Sequence, residues 1–327
     1  MKQKKILLVV LACMAGVSLL VGGACLLLDK KEPVPTDYTE LNREESIVFD
    51  GKEYIYNEHL SNYLFMGVDT KDPITQHETH GQAGQADAIY VISYDRVKNT
   101  AKCIAIPRDT MTSIHVFAPD GTDLDYTVNH INLQYAYGDG KTESCELMKE
   151  AVQKLLLGVP IQGYCAINIE GIPILADVAG GVQVTVPDDS LEEVNPIFRQ
   201  GATVVLDKDT AEIFVRYRDV NERQSANVRM QRQKVFMEAF ADTAKAQWGQ
   251  DTNFIATMDE SLKPYMVSNI GNDVLAKLLQ ADYGEGEIFR DIPGEKVNEE
   301  EFDEYRVNND ELYELILQMF YKEVKED

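Results

Sequence analysis

The amino-acid sequence predicts an α/β sandwich preceded by one N-terminal transmembrane helix. Three observations carry this expectation. An uncharged apolar run extends from Ile6 to Leu28. Beyond it, short apolar runs bounded by turn residues alternate with segments of helical periodicity. The length of 327 residues suits one anchor plus one sizeable domain.

The apolar run is long enough to span a bilayer: at about 1.5 Å per helical residue it reaches ~34 Å, against a hydrocarbon core of about 30 Å. Lys2, Lys4 and Lys5 precede it, which sets residues 1–5 as a cytoplasmic basic tail and the rest of the chain outside. A cleaved signal peptide fits less well, because the run exceeds a usual h-region and Gly22-Gly23-Ala24 is a weak cleavage site. A lipoprotein reading also fits poorly. The apolar stretch continues well past Cys13, and Cys25 follows Gly22-Gly23-Ala24 without a large aliphatic residue. Residues 6–28 are therefore read as a signal anchor, making the protein single-pass in the cell membrane with the rest of the chain extracytoplasmic.

Residues 29–58 are polar, with Pro33 and Pro35 near their start, and read as a stalk. Strands are expected at Tyr63–Val68, Ala88–Tyr94, Ala101–Ile106, Gly163–Ile169 and Gly181–Val186. Helices are expected at Glu146–Leu157, Ile172–Val178, Asp207–Val215 and Asn227–Ala246. Strands interleaved with helices argue for layers of helix packed on a sheet. The main domain runs over residues 59–248. Residues 249–327 read as a helical extension packed on the same domain, with helices at Asn272–Gln280 and Asn309–Lys322 and a possible strand near Glu287–Asp291.

The formal net charge is −24. Past the anchor, 28 basic residues face 55 acidic ones, a net charge of −27. Nucleic acid is excluded as a partner, because phosphate backbones need a basic surface. A phosphorylated ligand would need a local arginine cluster or a metal. Cys103, Cys145 and Cys165 have no metal-site spacing. Cys103 and Cys165 sit in apolar runs and read as buried thiols, with one disulfide left open.

Five segments carry chemistry: Leu64-Phe65-Met66-Gly67-Val68-Asp69, Gln85-Ala86-Asp87-Ala88, Ile106-Pro107-Arg108-Asp109, Val215-Arg216-Tyr217-Arg218-Asp219 and Arg229-Met230-Gln231-Arg232-Gln233. Taken singly, a strand-end aspartate is a turn or cap residue and an arginine is a solvated surface group. Together they say more. In this acidic chain Arg216, Arg218, Arg223, Arg229 and Arg232 fall within 17 residues. Guanidiniums grip phosphate oxygens in bidentate fashion. Two carboxylates at strand ends suit Mg²⁺, which takes one or two protein carboxylates plus phosphate oxygens. His77 and His80, in a Gly-rich polar segment before Asp87, read as part of a mobile loop rather than as metal ligands.

These segments, with Ile131-Asn132, Tyr135-Ala136-Tyr137-Gly138, Gly158-Val159-Pro160-Ile161 and the Asp177-to-Val186 stretch containing Gly180-Gly181-Val182, occur in the order in which the LytR-CpsA-Psr family carries its motifs. Over roughly residues 60–245 the chain resembles that family of cell-wall glycopolymer ligases. The resemblance implies an α-β-α sandwich with a central mixed sheet. It implies Mg²⁺ held by Asp69 and Asp87, and a pyrophosphate bound by Arg108, Arg216, Arg218, Arg229 and Gln233. It also implies a long apolar pocket for a polyprenyl tail. Two positions depart from the family pattern: His130 stands where many members have Lys, and Ala226 where many have Asp, a loop acid that Asp219 or Glu222 would have to replace.

The activity implied is phosphotransfer: a glycopolymer such as teichoic acid or capsular polysaccharide moves from a polyprenyl pyrophosphate carrier to peptidoglycan. Arg108, Asp87, Asp69, Arg216 and Arg218 are the expected catalytic set, with Asp69 or Asp87 as the group that orients or deprotonates the acceptor hydroxyl. Loss of Arg108 is expected to cut turnover by orders of magnitude while leaving the fold intact. Two other readings stay open. One is hydrolysis of the same carrier with water as acceptor. The other is a non-catalytic lipid- or glycan-binding surface protein.

Overall fold

A computed structural model describes residues 40–217, 225–284, 289–298 and 303–324. The anchor segment lies outside the described residues, and among these no helix is long and apolar enough to cross a membrane. In chain order the strands are β1 (Ile47–Phe49), β2 (Lys52–Tyr56), β3 (Leu60–Val68), β4 (Ala86–Asp95), β5 (Thr100–Ile106), β6 (Met111–Phe117), β7 (Asp123–His130), β8 (Gly163–Asn168), β9 (Val182–Thr185), β10 (Thr203–Leu206), β11 (Met266–Ser268), β12 (Phe289–Asp291), β13 (Gly294–Asn298), β14 (Asp303–Val307) and β15 (Tyr321–Glu323). The helices are α1 (Thr142–Leu155), α2 (Gly171–Val178), α3 (Lys208–Arg216), α4 (Ser225–Gln250), α5 (Phe254–Leu262), α6 (Asn272–Gln280) and α7 (Asn309–Phe320).

Six strands form the central sheet in the order β11-β8-β3-β4-β5-β12. It is mixed, as expected: β3 pairs with β8 in parallel and with β4 antiparallel, β4 and β5 are antiparallel, and β5 and β12 are parallel. The carboxyl ends of β3, β5, β8 and β12 therefore share one edge with the start of β4. Open α/β sheets place ligands beside such an edge.

Apolar residues cover both faces of the sheet. Phe65, Ile92, Cys103 and Ile167 point into a core shared with α2 to α6. Leu64, Met66, Val91, Ile104 and Ala166 point the other way, into a second core with α1 and α7. Burial on both sides explains why the β3 run reads as continuously apolar rather than alternating.

Three stretches differ from the sequence expectation. Residues 47–56, inside the assigned stalk, form the β1–β2 hairpin, and β2 pairs with β15 at the other end of the chain. Tyr56 packs edge-on against Tyr321 there. The C-terminal segment supplies both edge strands of the central sheet: β12 falls on the strand expected near Glu287–Asp291, whereas β11 was not anticipated. The β6–β7 hairpin was not anticipated: β6 buries Thr112, Ile114 and Val116 on one face, but β7 has no buried apolar stripe.

Cys103, Cys145 and Cys165 are free and buried. Burial pushes all three thiols up, Cys165 to about 12. The thiolate is the reactive form. Peptide mapping after iodoacetamide treatment at neutral pH should find these three positions unmodified in the folded protein and modified after denaturation.

Candidate active site

Asp69 is the first residue beyond β3. Its backbone N–H donates to the Gln85 carbonyl at 3.1 Å, and its Oδ1 accepts from the Gln85 N–H at 2.7 Å. This reciprocal pair closes the loop between β3 and β4 at its base. Gly84 makes the closure possible. Its φ is +80°, and a Cβ there would lie 2.5 Å from Thr70 Cγ2 and 2.9 Å from Asp69 Oδ1.

Asp87 follows one residue into β4, at a register shift: Gly67 faces Ala88, whereas Val68 faces Ala86. Such bulges re-aim a side chain where a ladder ends. The Asp87 carboxylate is fully buried and accepts from Arg108 Nη1 at 2.7 Å. Arg108 leaves β5 through a turn in which the Thr110 N–H and hydroxyl both donate to the Pro107 carbonyl. Its Nε donates to Asp109 Oδ1 at 3.1 Å. Burial works against the Arg108 charge, but the neighbouring Asp87 and Asp109 carboxylates outweigh it and hold the guanidinium above its ordinary value. The group stays cationic at every physiological pH.

Asn132 stitches these parts together. Its N–H donates to the Arg108 carbonyl at 3.2 Å, and its Nδ2 donates to Gln85 Oε1 at 3.0 Å. Asp69, Asp87 and Arg108 thus sit in one hydrogen-bonded cluster at the carboxyl edge, with Gln85 and Asn132 as its joints. Ile131-Asn132 and Gln85-Ala86-Asp87 stand out in the sequence, but neither Gln85 nor Asn132 is anticipated as a site member.

Arg216, the last residue of α3, donates from Nη1 to Glu170 Oε1 at 3.1 Å and pairs with Glu212 one turn back. Glu170 follows β8, and its N–H donates to Asn168 Oδ1. Arg216 is therefore tied to the same edge, through different partners. Arg218, Asp219 and Glu222 lie outside the described residues. So do the side chains of Arg229, Gln233 and Ala226, although the backbones of these three run within α4.

The sequence does not foresee the role of Arg232. It is 1% exposed, among the deepest large side chains of the protein. One guanidinium nitrogen donates to the Tyr217 carbonyl, between Arg216 and Arg218, and Nη1 donates to Ser190 Oγ at 3.2 Å. Nε stands 4.0 Å from Asp188 Oδ2. Burial pulls its pKa down, against the attraction of Asp188. The available signal was spacing: Arg232 stands four and eight residues before Phe236 and Phe240, both buried, so all three share the inward face of α4.

The His77–His80 segment is tethered. The His77 N–H donates to the Asp139 carbonyl at 2.9 Å, and His80 Nδ1 bonds the Tyr137 carbonyl. Among the described residues no group of three or more His, Cys, Asp or Glu is placed to hold a metal ion.

The LytR_cpsA_psr family model matches residues 29–320. The chain is 29% identical over 184 residues to the polyisoprenyl-teichoic acid–peptidoglycan teichoic acid transferase TagV of Bacillus subtilis, covering 55% of this chain and 42% of that protein. It is 28% identical over 225 residues to the transferase TagU of Halalkalibacterium halodurans, covering 69% and 65% respectively. The chain thus spans less than two thirds of either relative. Among solved structures, it superposes on protein gbs0355 of Streptococcus agalactiae with a TM-score of 0.59 at 18% identity, covering 80% of this chain and 86% of the other. The crystal structure of B. subtilis TagU gives 0.53 at 18%, covering 82% and 100%. TagT bound to LI-WTA gives 0.55 at 19%, covering 80% and 90%. These structural likenesses show a shared fold. With the family model spanning most of its length, the chain belongs to the LytR-CpsA-Psr family.

Proposed function

We propose that this protein transfers a glycopolymer from a polyprenyl pyrophosphate carrier to peptidoglycan through a phosphodiester bond. The observation that carries the reading is the cluster of Asp69, Asp87 and Arg108 at one sheet edge of a strongly acidic chain. Family membership and the names of the transferase relatives support it.

The acceptor hydroxyl attacks the phosphorus bonded to the sugar. A new P–O bond forms, the pyrophosphate P–O bond breaks, and polyprenyl phosphate departs with the electron pair. The hydroxyl proton passes to a carboxylate, Asp69 or Asp87. Arg108 stabilises charge that builds on the phosphoryl oxygens, a mainly electrostatic contribution. Arg216, Arg218, Arg229 and Gln233 complete the pyrophosphate grip.

The donor set fits Mg²⁺: two oxygen-bearing side chains at adjacent strand ends, leaving phosphate oxygens to complete the shell. Asp69 and Asp87 would hold the ion, which supplies charge neutralisation on the leaving side when bound. The segment Ile6–Leu28 would anchor the enzyme beside the bilayer, where the carrier lives at high effective concentration.

The test is incubation with a synthetic polyprenyl-pyrophosphate-linked saccharide, Mg²⁺ and uncrosslinked peptidoglycan chains, followed by mass spectrometry. A saccharide joined to the glycan by a phosphodiester is the expected product. EDTA should lower the rate on the order of 10²-fold, with recovery on adding Mg²⁺. Free sugar phosphate in place of the conjugate would make the protein a hydrolase. Mg²⁺-dependent affinity without turnover would make it a binder.

A further inference from the structure

The loop between β3 and β4 forms a strap across the carboxyl edge of the sheet. Asn168 Nδ2 donates to the Asp72 carbonyl at 2.7 Å, and the Ile74 N–H donates to the Pro264 carbonyl at 2.7 Å. Farther along, the Gly81 N–H donates to the Ala136 carbonyl at 2.7 Å. Together with the His77 and Asp69–Gln85 contacts, these tie the strap to β8, to the segment after α5 and to the 131–137 turn. The strap leaves a cavity of about 250 Å³ beneath it, lined in part by Thr70, Asp72, Thr75, His77, Gln82 and Tyr135. Thr70, which lines the cavity, follows Asp69 in the chain, and both side chains pack against Gly84.

The lining says what would fit. It offers hydroxyl, amide and imidazole groups, with Pro73, Ile74 and Ala83 as apolar surface. It contains no arginine, and Lys71 is its one ammonium, so it is not built to grip a pyrophosphate. Hydroxyl, amide, imidazole and the Asp72 carboxylate beside apolar surface match a sugar ring, which has hydroxyls at its rim and C–H groups on its faces. The volume lies below the ~300–1,000 Å³ of pockets for drug-sized ligands, which suits one ring rather than a chain.

We propose that this cavity seats a sugar unit of the acceptor glycan and presents its hydroxyl toward Asp69. The assignment rests on the transferase reading above. Arg108 and the other guanidiniums hold the phosphates, whereas the strap positions the nucleophile.

Two variants of exposed rim residues test this in the full chain in detergent: Thr75→Trp, which fills the cavity, and Gln82→Ala, which removes an amide. Three quantities are measured. These are the acceptor KM for transfer with short uncrosslinked glycan strands, the donor KM for background release of sugar phosphate to water, and calorimetric binding of the glycan alone. Thr75→Trp is expected to raise the acceptor KM and weaken glycan binding by tenfold or more, on the order of one or two lost hydrogen bonds. Gln82→Ala should move both in the same direction by less, and the donor KM should stay constant in both variants. Unchanged acceptor KM and glycan binding in Thr75→Trp would overturn the proposal. A rise in donor KM instead would overturn it too, and would give the cavity to the sugar of the donor. If the wild-type protein performs no transfer, the transferase reading fails, while glycan binding and its loss in Thr75→Trp still decide the cavity.

Discussion

Arg108→Ala is expected to slow transfer by ~10²–10³-fold, the scale found when one preorganised donor to a developing oxyanion is removed. It should also destabilise the fold, contrary to the sequence expectation that the fold would be untouched. The Asp87 carboxylate is fully buried, and Arg108 Nη1 is bonded to it at 2.7 Å. Removing one partner of a buried pair costs about 3–5 kcal/mol, because the other charge is left uncompensated. The Arg108 side chain keeps 22% exposure, so the cost here should fall toward about 2–3 kcal/mol. Urea unfolding measures the stability term and initial transfer rates measure the catalytic one. The double variant Asp87→Asn with Arg108→Ala isolates the stability term: a neutral amide needs no counter-charge, so resistance to urea should recover. Near-normal transfer by the single variant would remove Arg108 from the mechanism.

Arg232→Ala should destabilise the fold by about 3–5 kcal/mol. It strips the cation from beside Asp188, removes a donor from the Tyr217 carbonyl and opens a void where a fully buried side chain stood. Arg232→Lys keeps the charge but loses the planar fork, so it should recover only part of the loss. Because Tyr217 lies between Arg216 and Arg218, both proposed to grip the pyrophosphate, transfer should fall as well, even at temperatures where the variant remains folded. A loss under about 1 kcal/mol in urea would show that the buried contacts carry little energy, as for an exposed pair.

The parts of the fold legible in the sequence are those whose side chains meet the core on both faces or along one helical stripe. The β3, β4, β5 and β8 runs are dense in Leu, Ile, Val, Phe and Ala, and Asp69 and Arg108 mark their ends. The site was legible to the same extent, because a charged residue closing an apolar strand is conspicuous. What stayed hidden depends on long-range pairing. Residues 47–56 look like polar linker, since their partner Tyr321–Glu323 lies at the far end of the chain. The β7 strand is mostly exposed, and its order comes from the ladder to β6. The strap between β3 and β4 looks like loose Gly- and His-containing loop, because its tethers are backbone carbonyls of Pro264, Ala136 and Asp139 that leave no mark in composition.

The strand order also sets a timetable. Both edges of the central sheet, β11 and β12, and the β15 strand that locks the β1–β2 hairpin come from the last quarter of the chain. A chain synthesised from its N-terminus presents β3, β4, β5 and β8 first, with open edges on either side. Those edges carry unpaired N–H and C=O groups and are templates for aggregation. Asp69 and Asp87 thus emerge well before β11 and β12, the strands that close the edges of the sheet. A nascent chain would need protection through that interval, and loss of β15 alone would free the β2 edge and leave Tyr56 without its edge-on contact to Tyr321.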